Sequence, residues 1–126
     1  MGVPPRPTIV YAEDEPAVRR LVQFWLEDAG YDVLLAADGA EGLALTHAHR
    51  PALVITDALM PNLTGDELVE LLQADPDLRH IPIVMATAAA SPVRVRKMLG
   101  LGCRAVVAKP LDEDTFLAAV RGALGE

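Results

Sequence analysis

Leu53-Val54-Ile55-Thr56, closed by Asp57, is the stretch on which the reading of the chain turns. An apolar, β-branched run this short, with no polar alternation, suits a strand covered on both faces rather than one with a wet side. Similar runs occur at Thr8–Ala12, Val33–Ala37, Ile81–Ala86 and Ala105–Ala108. Between them lie segments with helical periodicity. In the first, Val18, Leu21, Val22, Trp25, Leu26 and Ala29 form one stripe, and Gly30 is a stop signal. A second runs from about Ala40 to Ala48, with Leu43 and Leu45 among alanines, and a third from about Thr64 to Ala74, stopped before Pro76. The fourth starts at Ser91-Pro92, with proline at the first helical position, and ends near Gly100. The fifth opens with Asp112 and carries Phe116, Leu117, Val120 and Leu124. Five strands alternating with five helices predict an α/β protein, (βα)5, doubly wound: a parallel sheet between two helical layers, joined by right-handed crossovers.

The 126 residues suit one domain, expected over residues 8–126, and the proline-rich residues 1–7 read as a disordered tail or an expression remnant. Hydrophobic residues at 52% and charged residues at 23% exclude a disordered chain. Aromatics are only 4%, so the core must be aliphatic. A net charge of −7 argues against direct nucleic-acid or anionic-membrane binding, because both need a basic face. The single cysteine, Cys103, excludes an internal disulfide. No leader peptide is apparent, and no apolar run approaches the ~20 residues of a membrane span. A cytoplasmic location is expected. Of the basic residues nine are Arg and two are Lys, Lys97 and Lys109.

In open parallel sheets, ligands bind beyond the carboxyl ends of the strands. The first run is followed there by Glu13, Asp14 and Glu15, the third by Asp57, the fourth by Thr87 and the fifth by Lys109. The second ends in Ala37-Asp38-Gly39, which reads as a plain loop. Carboxylates gathered at one edge repel one another, and one lysine cannot neutralise them. A hard divalent cation such as Mg²⁺ can, using carboxylate oxygens, waters and a phosphate oxygen. Cation, ammonium and hydroxyl together are the set that stabilises a transferring phosphoryl group, and a central carboxylate can accept it as an acyl phosphate. Asp57 is the best candidate nucleophile. Each residue alone has a plainer reading: Glu13 or Asp14 as a helix cap, Asp57 as a turn residue, Thr87 as a β-former. Lys109 is harder to set aside, because it interrupts an apolar run in an arginine-rich chain.

The ordered set Glu13-Asp14, Asp57 with Met60-Pro61 and Gly65, Thr87-Ala88 and Lys109-Pro110 resembles the receiver (response-regulator) domain of bacterial two-component signalling, chemotaxis regulators included. The resemblance runs from about Thr8 to Leu124. It implies a flavodoxin-like fold with strand order 2-1-3-4-5 and a module without enzymatic turnover beyond its own phosphorylation and dephosphorylation. Asp57 would accept a phosphoryl group from a sensor histidine kinase, a phosphotransfer protein or a small phosphodonor. Glu13, Asp14, Asp57 and the carbonyl of Leu59 would hold Mg²⁺. Lys109, in a cis Lys109-Pro110 bond, would pair with phosphoryl oxygens. Thr87 would swing inward, with the backbone amides of Ala58 and Ala88 assisting. An unnamed downstream protein would read the change, and a homodimer through helices 4 and 5 is compatible with the family.

Two positions depart from the family pattern. Val106 stands where an aromatic ring usually moves with the threonine, and valine has one stiff torsion and no ring. Leu111 replaces a common phenylalanine. Leu59 and Ala89, apolar at the positions two beyond Asp57 and Thr87, offer an attacking water no polar handle, which predicts a long-lived phosphoryl state. His47 and His49 diverge on a helix and make a poor metal site, His80 reads as surface, and Arg94, Arg96 and Lys97 read as a solvated face. Cys103 lacks a nearby base, and Trp25 belongs to a packing stripe. Two alternatives share the fold. A pseudo-receiver would bind a partner without phosphorylation, and a flavin-binding electron carrier would need a Ser/Thr/Gly-rich phosphate loop where Glu13-Asp14-Glu15 stands.

Overall fold

The computed structural model describes residues 5–126. Elements alternate as β1 (Thr8–Ala12), α1 (Pro16–Asp28), β2 (Asp32–Ala36), α2 (Gly39–His49), β3 (Leu53–Asp57), α3 (Gly65–Ala74), β4 (Ile83–Thr87), α4 (Pro92–Leu101), β5 (Ala105–Ala108) and α5 (Glu113–Leu124). The sheet is five-stranded and parallel in the order β2-β1-β3-β4-β5, as expected. Among the described residues no helix is long and apolar enough to cross a membrane.

Alternate residues of each buried strand feed two cores, which is why the runs read as continuously apolar. Ile9, Tyr11, Ile55, Val84 and Val107 meet Val22 and Leu26 of α1 and Phe116, Leu117 and Val120 of α5. Val10, Val54, Ile83 and Met85 point the other way, against Leu68, Val69 and Leu72 of α3 and Met98 of α4. The Trp25 and Phe116 rings lie 6.1 Å apart, so Trp25 packs as its stripe suggested. Helix α2 has no marked apolar stripe and uses smallness instead: a side chain on Gly42 would press on Ala12 and Leu68, so the helix lies close over β1.

Three strand boundaries differ from the expected ones. β2 begins at Asp32 and ends at Ala36, and β3 extends to Asp57. β4 starts at Ile83, not Ile81, and reaches Thr87. Ile81 is buried, but its N–H bonds to the Leu78 carbonyl in a turn, and Pro82 offers the sheet only a carbonyl. Of the expected tail, residues 1–4 lie outside the described residues. Arg6 is tied down: its guanidinium donates to the carbonyls of Glu27 and Tyr31 and pairs with Asp32 at 3.1 Å.

Candidate functional site

The carboxyl ends of β1, β3, β4 and β5 bring Glu13, Asp57, Thr87 and Lys109 to one edge of the sheet. Lys109 Nζ donates to Glu13 Oε1 at 2.6 Å and to Asp57 Oδ2 at 2.9 Å. The other oxygen of Asp57, Oδ1, accepts from the Ala58 N–H at 2.7 Å. Carboxylate oxygens of Glu13, Asp14 and Asp57 lie within 4.8 Å of one another. Glu13 is fully buried and Asp57 nearly so, whereas Asp14 is exposed. The Lys109-Pro110 bond is cis.

This geometry sets the electrostatics. Burial pushes the Glu13 carboxyl above its ordinary range, the Lys109 hydrogen bond restrains it, and the charge of Asp57 raises it further. Burial alone would lower the Lys109 ammonium, but its bonds to Glu13 and Asp57 outweigh that and raise it. Tyr11 of β1, two residues before Glu13, is raised by burial and by the charges of Glu13 and Asp57. Among the described residues its hydroxyl is the buried side-chain polar atom left without a hydrogen-bond partner. Three carboxylates face one ammonium, so the notch carries an excess of negative charge that a hard divalent cation would cancel. The donor set, all oxygen and mostly carboxylate, fits Mg²⁺ chemistry.

Thr87 is near but not engaged. It lines the same cavity, of about 640 Å³, with Asp57, Ala58, Leu59, Ala88 and Lys109. Its hydroxyl accepts from the Ala89 N–H at 3.0 Å. Leu59 is 77% exposed at the rim. Val106 is half-buried against the α3–α4 core and stands outside the notch. Cys103 is buried, and that burial pushes its thiol up to about 11, which disfavours the thiolate near neutral pH. His47, His49 and His80 are exposed, with His47 3.8 Å from Asp75.

The structure adds two features around the notch. Asp38 is no plain loop residue. Its Oδ1 accepts from the Glu41 N–H to cap α2, and its Oδ2 accepts from the Asn62 amide at 2.6 Å, joining two loops of the site edge. Asn62 itself adopts a positive φ of 69°, in a turn closed by the Leu63 N–H on the Pro61 carbonyl. Arg94, expected on a solvated face, forms a two-pronged ion pair with Asp66 and is only 23% exposed. α3 starts with a Thr64–Glu67 capping box, whose Thr-x-x-Glu spacing is a local signal the sequence reading did not use, whereas the Asp66–Arg94 pair, 28 residues apart, has no local signature.

A family model for the response regulator receiver domain matches residues 9–121. The polar-differentiation response regulator DivK of Brucella anthropi is 30% identical over 119 residues, covering 94% of this chain and 97% of DivK. Hybrid signal transduction histidine kinase D of Dictyostelium discoideum is 36% identical over 115 residues, 91% of this chain but 7% of the kinase. The chemotaxis response regulator CheY4 of Vibrio cholerae superposes with a TM-score of 0.88 at 30% identity, covering 94% and 99% of the two chains. A putative response regulator from Chloroflexus aurantiacus gives 0.90 at 26% identity, covering 97% and 100%.

Proposed function

The chain belongs to the response regulator receiver domain family, and from that premise we propose that it is a phosphoacceptor switch built on Asp57. The observation that carries this reading is the contact of Lys109 with both Glu13 and Asp57 at the sheet edge. In the proposed reaction a carboxylate oxygen of Asp57 attacks phosphorus. The bond from phosphorus to a kinase or phosphotransfer histidine breaks, and an acyl phosphate forms. Lys109 then moves its ammonium contact from the carboxylate to the phosphoryl oxygens, and the Thr87 hydroxyl exchanges the Ala89 N–H for the phosphoryl group. The Ala58 N–H, already on Asp57, and that of Ala88 assist. Glu13, Asp14, Asp57 and the Leu59 carbonyl would hold Mg²⁺, which when bound neutralises charge on the transferring group. A dianionic modification in this notch shifts populations of the surrounding loops rather than building a new fold.

Residues 8–126 act as one receiver unit in this reading, in a cytoplasmic pathway, with a histidine kinase or phosphotransfer protein upstream and a protein target downstream. Apolar Leu59 and Ala89 beside the acyl phosphate make hydrolysis slow. The test is titration with acetyl phosphate, or with beryllofluoride, in the presence of Mg²⁺. Wild type responds and Asp57→Ala does not; a silent wild type, or an equal response in Asp57→Ala, overturns the assignment.

A further inference from the structure

The Asp66–Arg94 pair lies beside the acid–lysine notch, and the proposed reaction uses neither residue. Asp66 stands in the first turn of α3 and Arg94 in the first turn of α4. Nη1 of Arg94 meets Oδ2 of Asp66 at 2.7 Å, and Nη2 meets Oδ1 at 2.5 Å. This is the planar fork-to-carboxylate geometry that only arginine provides. Both residues line the cavity that holds Asp57, Thr87 and Lys109.

The position of Arg94 is locally unfavourable. A cation in the first turn faces the positive end of the helix dipole. α4, like α1, has no acid there, while α2, α3 and α5 open with Glu41, with Asp66 and Glu67, and with Glu113 and Asp114. A local conflict held in place by a tertiary contact marks a position kept for a task.

The connections on each side suggest the task. Asp66 follows Gly65, whose N–H donates to the Ala58 carbonyl at 2.9 Å and which packs on the Asp57 carbonyl, so Asp66 is fixed relative to the nucleophile. Arg94 follows Ser91, the cap of α4, and three alanines, Ala88–Ala90, that lead back to Thr87. When the Thr87 hydroxyl leaves the Ala89 N–H for a phosphoryl group, it draws this short connection inward and the start of α4 with it. A two-pronged pair tolerates little displacement.

Resting on the phosphoacceptor reading, we propose that Arg94 is a positioning residue: its pair with Asp66 latches the start of α4 in the resting arrangement, and phosphorylation reaches α4 by opening this latch. The chain has no ring at Val106 to carry the change, and the pair supplies the two-state element instead. Because coupling is reciprocal, a latch that opens on modification also opposes it.

The test is beryllofluoride titration with Mg²⁺ on wild type, Asp66→Asn, Arg94→Ala, Arg94→Lys and the double variant Asp66→Asn/Arg94→Ala, followed by α4 amide signals and by melting temperature. Asp66→Asn and Arg94→Ala should each lower the half-saturating concentration about threefold to tenfold, as expected when the competent state becomes more populated. Their resting α4 signals should move toward the bound positions. The double variant should gain nothing over either single one, and Arg94→Lys, which keeps the charge without the fork, should fall between. Midpoints equal to wild type, with only the melting temperature lowered, would mean a merely structural pair and overturn the proposal. A wild type that ignores beryllofluoride would instead refute the phosphoacceptor reading.

Discussion

Lys109 Nζ and Asp57 Oδ2 meet at 2.9 Å across 52 residues of chain, and the same ammonium holds the buried Glu13 at 2.6 Å. The lysine is therefore the internal counter-ion of two carboxylates that would otherwise repel. Lys109→Ala should lower the stability of metal-free protein by about 2–4 kcal/mol near neutral pH, because it strands Glu13 as a buried charge. The loss has a defined pH dependence. Glu13 has a folded pKa raised above its ordinary 4.5, so the folded state holds its proton longer than the unfolded state. This group's contribution is then greatest at low pH and declines as pH rises through that window. Removing Lys109 raises Glu13 further, so the cost of Lys109→Ala shrinks on acidification. Urea unfolding at pH 5 and pH 7.5 measures it; equal losses at both would contradict this account.

Asp14 is exposed, and its carboxylate lies within 4.8 Å of those of Glu13 and Asp57. Asp14→Asn should leave metal-free stability within about 0.5 kcal/mol of wild type, as exposed substitutions usually do. On the Mg²⁺-site reading, wild type should melt higher when Mg²⁺ is added, and Asp14→Asn should lose that rise. Thermal unfolding with and without Mg²⁺ reads both effects at once.

Gly65 and Gly122 give opposite expectations for the same substitution. A Cβ on Gly65 would overlap the Asp57 carbonyl oxygen, and Gly65→Ala should cost about 1–3 kcal/mol or more through forced displacement. Gly122 lies exposed in α5 with open space around its Cα, and Gly122→Ala should gain about 0.5–1 kcal/mol from helix propensity. Chemical denaturation of both variants checks the contrast in sign.

Cys103 should resist a thiol reagent at pH 8 until the chain unfolds. Burial raises its folded pKa to about 11 from the ordinary 9.0, so only the unfolded thiol ionises between those values. The folded state then binds more protons than the unfolded one, and stability falls as pH climbs from about 9 to 11. Cys103→Ala should flatten that alkaline slope, and rapid labelling of the native protein at pH 8 would contradict the burial.

The fold was legible because short aliphatic runs, covered on both faces, alternate with longer segments marked by helical period or by proline and glycine boundaries, although α2 carries no apolar stripe of its own. Ile81 shows where that signal fails: hydrophobicity marks burial, and a buried turn before Pro82 reads like the start of a strand. The acid, hydroxyl and lysine positions were legible because each ends an apolar run at one sheet edge. Arg94 and the loop-joining contact of Asp38 escaped the sequence for one reason, although the Asp38 cap on Glu41 is local. Their partners, Asp66 and Asn62, are 28 and 24 residues away, and no local pattern announces such contacts. The unpartnered hydroxyl of Tyr11 was equally hidden, since only packing removes its access to water.

The intimate fit of Gly65 on the carbonyl of Asp57 leaves the start of α3 no slack against the central strand. With no atom to spare between them, α3 and the central strand are expected to move as one, and on the switch proposed above a rearrangement started at the aspartate would leave through the opposite wall, where three small alanines connect the threonine to α4. On that proposal a partner that grips α4 would register a shift of the helix, and one that grips only α3 would meet no more than the released carboxylate of Asp66.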